Sequence, residues 1–419
     1  MGFIHVQDVL TGKLTGKEVS LRGWVYRKRD QKEMVFLILR DSTGVIQLAC
    51  KGIEEARKAT IESSIQVSGI VKEDKRAPGG LEIQVKDLTI VGLAETFPIS
   101  KDLSEEFTRD VRHLWIRSQK LRRIFKIRSE VFRAIHDFCR SRGFIEIQSP
   151  IFTTAACEGG SSLFEVKYFD KELYLSQSWQ LHAEAMIYSL EKIYTITPAF
   201  RAEKSRTKRH ISEYWTAEIE AAWMGHEELM EFGEDMILHV VAHVLKHCEK
   251  ELKELERDLT ELKELKKPFP RISYKEAIEK LGKKWGHEIT DKDERELIEK
   301  LGGKPVFLTK FPRDMKAFYM RPDTKDPKVV LASDLLVPEV GEIIGGSERI
   351  YDVKELLESI KIFKLDKKHY EWYLDLRRYG TVPHSGFGLG IERLVMWISG
   401  TEHIMDTIPF PRTMTRFYP

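Results

Sequence analysis

The segment from Ile193 to Trp223 limits the possible architecture more than any other stretch. Ile193 to Ala199 and Trp215 to Trp223 alternate side chains with a period of two, and the loop between them is crowded with cations. The period predicts two antiparallel strands joined by that loop. The segment Phe200 to Glu220 reads FRAEKSRTKRHISEYWTAEIE, and within it Arg201 and Arg209 offer planar donor forks suited to phosphoryl oxygens. A hairpin with a solvated basic tip would have the same composition, so the loop needs a second element to give it meaning.

That element lies near the C-terminus. In GFGLGIERL, Gly386 to Leu394, glycines at 386, 388 and 390 run into Glu392 and Arg393. A glycine-rich strand lets a flat ring approach the backbone, and the helix start that follows carries Arg393 toward bound phosphate. Dinucleotide binding is a rival for such a pattern, but no βαβ unit with a downstream ribose-binding acid surrounds it. With Phe-Arg-x-Glu upstream and this glycine segment downstream, the chain resembles the class II aminoacyl-tRNA synthetases, in which these are the second and third motifs. The first motif of that family is a long helix followed by a strand ending in proline. Leu121, Ile124, Ile127, Val131, Ile135 and Phe138 repeat at helical spacing from Lys120 to Cys139. Arg142-Gly143 stops the helix, and Phe144 to Ser149 reads as a strand before Pro150. The resemblance implies a homodimer formed through this element.

Composition bounds the rest. At 419 residues the chain suits two or three domains. Lysine plus arginine number 68 against 66 acids, so a net charge of +2 gives no global attraction to nucleic acid, and RNA contacts must come from local patches. Cys50, Cys139, Cys157 and Cys248 lack CxxC spacing, which argues against a disulfide framework or a zinc ribbon. No stretch approaches the ~20 apolar residues of a spanning helix, and a cytoplasmic enzyme without membrane contact is expected. His239, His243 and His247 share a helical face beside Cys248, but Met236, Val240 and Val244 mark that helix as a packed one.

The first hundred residues have a different texture. Glu18 to Tyr26, Met34 to Arg40, Val45 to Cys50, Ser64 to Val71 and Leu81 to Val91 read as short strands between turn formers. Five such strands suggest a small barrel of the oligonucleotide-binding kind, whose face stacks unpaired bases. Its position and its RGWVxxxR opening resemble the anticodon-binding domain of the aspartyl, asparaginyl and lysyl subgroup, with Arg22, Arg27, Phe36, Gln47 and Glu82 as candidate contacts. The expected fold is α+β: an oligonucleotide-binding barrel over residues 1–97, a hinge over 98–117, and a class II catalytic domain over 118–419 built on an antiparallel sheet flanked by helices. A peripheral helical insertion is expected at about 249–303, with no function evident in it.

The resemblance implies specific roles. Arg201 would hold the α-phosphate of ATP, Arg209 and His210 the β and γ phosphates, and Arg393 the γ-phosphate from the other side. Glu203 would contact adenine or the terminal adenosine, Tyr214 would stack on adenine, and Gly390 would line the nucleotide. Mg2+ would join the phosphates through Glu342 and Asp334, whose hard oxygens suit it. Gly345 replaces a serine that serves archaeal aspartyl relatives as a further ligand.

Three segments, CEGGSSLFEV, YLSQSWQLHAEA and GEIIGGSERI, resemble the amino-acid pocket of the aspartyl and asparaginyl enzymes. They nominate Glu158, Ser176, Gln180 and Arg349, to which the second strand adds Glu218. Aspartate and asparagine differ mainly in charge, so the pocket must choose by donor and acceptor placement. Where aspartyl enzymes carry a lysine this chain has Ala183, and where they carry an aspartate it has Glu218, which could accept from an amide while repelling a carboxylate. Ligation of L-asparagine to tRNA(Asn) is therefore expected. Aspartate–tRNA ligation, with relaxed tRNA choice, is the alternative, and an ammonia-dependent asparagine synthetase relative is a further one.

Overall fold

The computed structural model describes residues 2–99, 104–154, 157, 162–202 and 207–419. It divides into two compact units, residues 1–108 and 109–419.

The first unit is a closed barrel of five strands: β1 (Glu18–Asp30), β2 (Met34–Arg40), β3 (Val45–Lys51), β4 (Ser64–Glu73) and β5 (Leu81–Gly92), in the order β1-β2-β3-β5-β4. Alternation sends Leu21, Val35, Leu37, Leu39, Ile46, Leu48 and Ile83 inward, where they are fully buried. A bulge between Val25 and Arg27 bends the long first strand, as barrel closure requires.

The second unit is built on an eight-stranded sheet in the order β12-β13-β14-β15-β16-β11-β10-β6. These strands are β6 (Ile145–Glu146), β10 (Lys192–Phe200), β11 (Glu213–Ala222), β12 (Arg271–Ser273), β13 (Val306–Thr309), β14 (Ala332–Val337), β15 (Gly341–Glu348) and β16 (His384–Gly390). The middle of the sheet is antiparallel as expected, but β6 pairs parallel with β10 and β12 parallel with β13. Each edge strand reaches its partner by a crossover that includes helix rather than by a hairpin, so the sheet is mixed. A separate small sheet joins β7 (Phe152–Thr153), β8 (Glu165–Tyr168) and β9 (Lys171–Leu175).

Helices α1 (Gln119–Ser141), α3 (His226–Glu254) and α6 (Ile391–Ser399) cover one face of the large sheet; α2 (Gln180–Leu190), α4 (Asp291–Lys300) and α5 (Glu371–Arg378) lie elsewhere in the unit. In α1 the six apolar residues of the predicted stripe are all buried, Ser118 caps the first turn, and Gly143, at φ 78°, ends the element. The strand expected over Phe144 to Ser149 shrinks to Ile145–Glu146.

The stretch expected as a hinge holds two short helices, Glu105–Asp110 and Arg112–Trp115. Arg112 is buried and donates to the carbonyls of Met405, Ile408 and Pro409 at 2.8 Å each, so the chain is already tied into the second unit there. The expected insertion also divides. Leu252, Leu259 and Leu262 join the main core, whereas from Ile272 onward a second core forms among Tyr274, Ile278, Leu297, Ile298, Leu308 and Leu336.

The cysteines are unbridged and buried. Burial pushes Cys50, Cys139 and Cys248 up to about 12, which keeps them protonated and inert. Of the stacked histidines, His243 meets Glu130 on α1 at 2.7 Å. No helix among the described residues is long and apolar enough to cross a membrane.

Candidate active site

One face of the three central strands carries the site. Pairing aligns Gly345, Gly388 and Glu218 across β15, β16 and β11, and Ser347, Gly386 and Glu220 beside them. Ala217, Ile219, Leu389 and Ile344 sit at the alternate positions in the hydrophobic core. The glycines make room for the acids: a Cβ on Gly386 would stand 2.0 Å from a Glu220 oxygen and 2.3 Å from the Ile219 carbonyl. Above this floor lies a cavity of about 560 Å³.

Arg201, Arg209, His210, Tyr214, Gln180, Glu218, Asp334, Glu342, Arg349, Gly390 and Arg393 all line that cavity. The structure thus gathers these sequence-nominated residues, drawn from segments up to 213 positions apart, around one space. Ser176 does not line it; its hydroxyl donates to the Ser178 carbonyl at 2.7 Å beside a smaller neighbouring cavity. Glu158 and Glu203 lie outside the described residues. Ala183 is fully buried among Trp179, Ile187, Ile193 and Ala222 and does not line the cavity.

At one end, one buried ion pair forms the wall and a second lies behind it. Arg349 donates from Nε and a terminal nitrogen to both oxygens of Glu220, at 3.0 and 2.9 Å, and from its other terminal nitrogen to Ser347 Oγ at 2.8 Å. Burial raises the Glu220 carboxyl, while burial works against the Arg349 charge and Glu220 restores it, leaving the guanidinium held above its usual range. Glu218 accepts from Ser178 Oγ at 2.6 Å and from the Trp179 N–H at 3.4 Å. Behind them, Glu184 receives Gln180 Nε2 at 3.0 Å, Tyr373 Oη at 2.7 Å and Arg377, and His384 Nε2 lies 3.0 Å away. Gln180 is therefore held by Glu184 as well as facing the cavity. No motif singled out Glu184, Tyr373, Arg377 or His384, and only Glu184 stands in a segment that resembles the amino-acid pocket, YLSQSWQLHAEA. The signal available was a charged residue at an otherwise apolar helical position, Glu184 between Ala183 and Ala185.

At the other end, cations face acids. Arg201 lies 5.8 Å from the Tyr214 ring centre. Arg393 donates to the Glu342 carbonyl at 2.9 Å and to its carboxylate at 3.2 Å, and approaches His210 Nε2 at 3.3 Å. Lys316 holds Asp334 at 2.6 Å. Burial pushes the Asp334 carboxyl up; for Glu342 burial is outweighed by Arg393 first, then Lys316, Arg201 and Arg209, which keep it ionised. A Cβ on Gly345 would lie 3.0 Å from a Glu342 oxygen and 3.7 Å from an Asp334 oxygen, so the two carboxylates converge on one spot. Two hard oxygens meeting in a cationic surround fit a divalent ion shared with phosphates. Arg209 is 8% exposed and is engaged by Glu294, by Asp291 at 2.5 Å and by the Val340 carbonyl at 3.0 Å. Glu392, also unassigned from sequence, accepts from the Trp215 N–H at 2.9 Å and pairs with Arg128 of α1 at 2.8 Å.

On the barrel, Arg27, Ile38, Gln47 and Glu82 form one cross-strand row over β1, β2, β3 and β5. Gln47 donates to Glu82 at 2.9 Å, and Phe36 lies next along β2 with Arg29 over its ring at 5.1 Å. Arg22 stands apart, opposite Gln66 with its guanidinium over Phe3.

A family model described as tRNA synthetases class II (D, K and N) matches residues 104–414, and one for an OB-fold nucleic acid binding domain matches residues 19–91. The chain is 46% identical to an asparagine–tRNA ligase of Thermoplasma acidophilum over 99% of this chain and 100% of that one. It is 47% identical to the ligase of that name from Thermococcus gammatolerans over 97% of each. The structure superposes on the asparaginyl-tRNA synthetase of Pyrococcus horikoshii complexed with asparaginyl-adenylate with a TM-score of 0.97, at 46% identity and full coverage of both chains. Matched along its whole length in sequence and in fold, the chain belongs to the class II tRNA synthetases, in their asparaginyl branch.

Proposed function

We propose that this protein activates L-asparagine with ATP and transfers it to tRNA(Asn). The observation that carries the reading is that the buried acceptor Glu218 and the buried donor Arg349 both line the cavity. An amide has one donor and one acceptor and satisfies both, whereas a carboxylate would face Glu218 with like charge. The relatives named asparagine–tRNA ligase support the same substrate.

In the first step the asparagine carboxylate attacks the α-phosphorus of ATP, the bond to the β-phosphate breaks, and pyrophosphate leaves. In the second the terminal ribose hydroxyl of the tRNA attacks the activated carbonyl and AMP leaves. No protein nucleophile is needed; the residues position the reactants and stabilise charge gathering on phosphate. Arg201 takes the α-phosphate, Tyr214 stacks on adenine, and His210 and Arg393 take the outer phosphates. Glu342 and Asp334 would hold Mg2+, which neutralises charge on the phosphates when bound. Lys316 shields Asp334 and gives the pair a counter-charge. Gln180 faces the substrate ammonium, joined by Glu158. On the barrel, the row from Arg27 to Glu82, with Phe36, forms the anticodon surface. The helix α1 forms the contact of a homodimer, and the enzyme works in the cytoplasm alongside its tRNA.

Pyrophosphate exchange measured with asparagine and aspartate side by side tests the reading. Exchange is expected with asparagine alone; exchange supported by aspartate and not asparagine would sink it.

A further inference from the structure

The geometry points to the helical insertion as a positioning element: Asp291 and Glu294 of α4 clamp Arg209, so that Arg209 sets the nucleotide-facing loop in place instead of binding phosphate itself. This rests on the proposed ATP chemistry and gives the insertion a role.

Arg209 already has strong acceptors on both terminal nitrogens, two carboxylates and a carbonyl around one buried guanidinium, and only its Nε lacks one among the described residues. Withdrawing it toward a ligand would leave two acids without their counter-charge, one of them buried. The clamp also closes a circuit. Glu294 accepts from the Glu342 N–H at 3.2 Å; Glu342 receives Arg393; Arg393 approaches His210; and His210 is the residue after Arg209. Both proposed ligands of the outer phosphates, His210 and Arg393, are thus fixed relative to each other through α4.

The turn entering β15 is shaped for this. Gly341 has φ +87°, and a Cβ there would stand 2.1 Å from a Glu294 oxygen and 2.3 Å from Arg209. The acids are rooted independently of the cavity: Thr290 caps α4 through a reciprocal box with Asp293, and Leu297 and Ile298 anchor the helix in its own core.

The two roles for Arg209 predict opposite signs. If Arg209 were a phosphate ligand restrained by acids, neutralising the acids would free it and tighten ATP. If it is a clamp, neutralisation loosens the loop and weakens ATP. Asp291→Asn and Glu294→Gln should each raise the Kd for ATP·Mg2+ by calorimetry, and the KM for ATP in exchange, roughly tenfold. The KM for asparagine should stay within about twofold. Combining Glu294→Gln with Arg209→Lys should be no worse than the poorer single variant. Asp291→Asn, at the partner that is 27% exposed, is the milder lesion should Glu294→Gln fold poorly. Unchanged or tighter ATP binding, or a parallel rise in both KM values, would overturn the clamp. ATP calorimetry needs no amino acid, so a wild-type enzyme inert toward asparagine would fail the functional reading separately.

Discussion

At the residue scale, the substrate pocket rests on charges that are expensive to strand. Glu220→Ala would leave Arg349 buried without its partner, at a cost of about 3–5 kcal/mol. The expected result is a large drop in the urea midpoint, with asparagine-dependent exchange lost even under conditions where the variant is folded. Glu218→Gln keeps the shape but removes the negative charge and replaces one of the two acceptor oxygens with an NH2 donor. It should raise the KM for asparagine at least about tenfold and leave the KM for ATP nearly unchanged, as read by exchange titrations. Glu218 and Arg349 were legible through the resemblance: Arg349 ends a Gly-Gly-Ser-x-Arg segment like that of the aspartyl and asparaginyl pocket, and Glu218 stands where the aspartyl pattern has an aspartate. The Glu184 cluster was not. Its polar groups lie up to 200 positions from Glu184 and share no period, so only the folded chain reveals that one carboxylate gathers four of them.

At the scale of elements, periodicity explains most of what sequence could reveal. The six-residue stripe of α1 and the alternation in the barrel strands translate directly into buried faces. The parallel edges of the large sheet escaped, because a two- or three-residue strand carries no alternation to read. The acids of α4 escaped too, since acids in a first helical turn ordinarily answer the helix dipole.

Two predictions belong here. Gly386→Ala forces a Cβ into Glu220 and the β11 backbone, and should push β16 from β11; circular dichroism melting is expected to show a drop of several degrees, with exchange abolished. The start of α3 carries a pH dependence. Burial lowers His226 from 6.5 to about 4, so the folded state holds it neutral while the unfolded chain protonates it first. Stability from this group is complete above about pH 6.5 and is lost as pH falls toward about 4, a span on the order of 3 kcal/mol. The difference in urea midpoint between pH 7 and 4.5 should shrink in His226→Gln; an equal difference would exclude His226 as the source.

At the scale of the molecule, the chain comprises two units with separate cores. A fragment beginning at Arg109 should therefore keep asparagine-dependent pyrophosphate exchange while its KM for tRNA rises steeply, as measured by aminoacylation. Loss of exchange would mean that the larger unit needs the barrel to fold.

The ion pairs under the amino-acid pocket carry a consequence for temperature. Burying a charge costs less as water warms, because ionic hydration weakens with heat, while the apolar term levels off. A floor made of Glu220 with Arg349 and Glu184 with Arg377 is therefore relatively better held hot than cold. Cooling, more than heating, is the stress that this pocket is least equipped to meet, and discrimination between asparagine and aspartate should be sharpest near the upper end of the enzyme's working range.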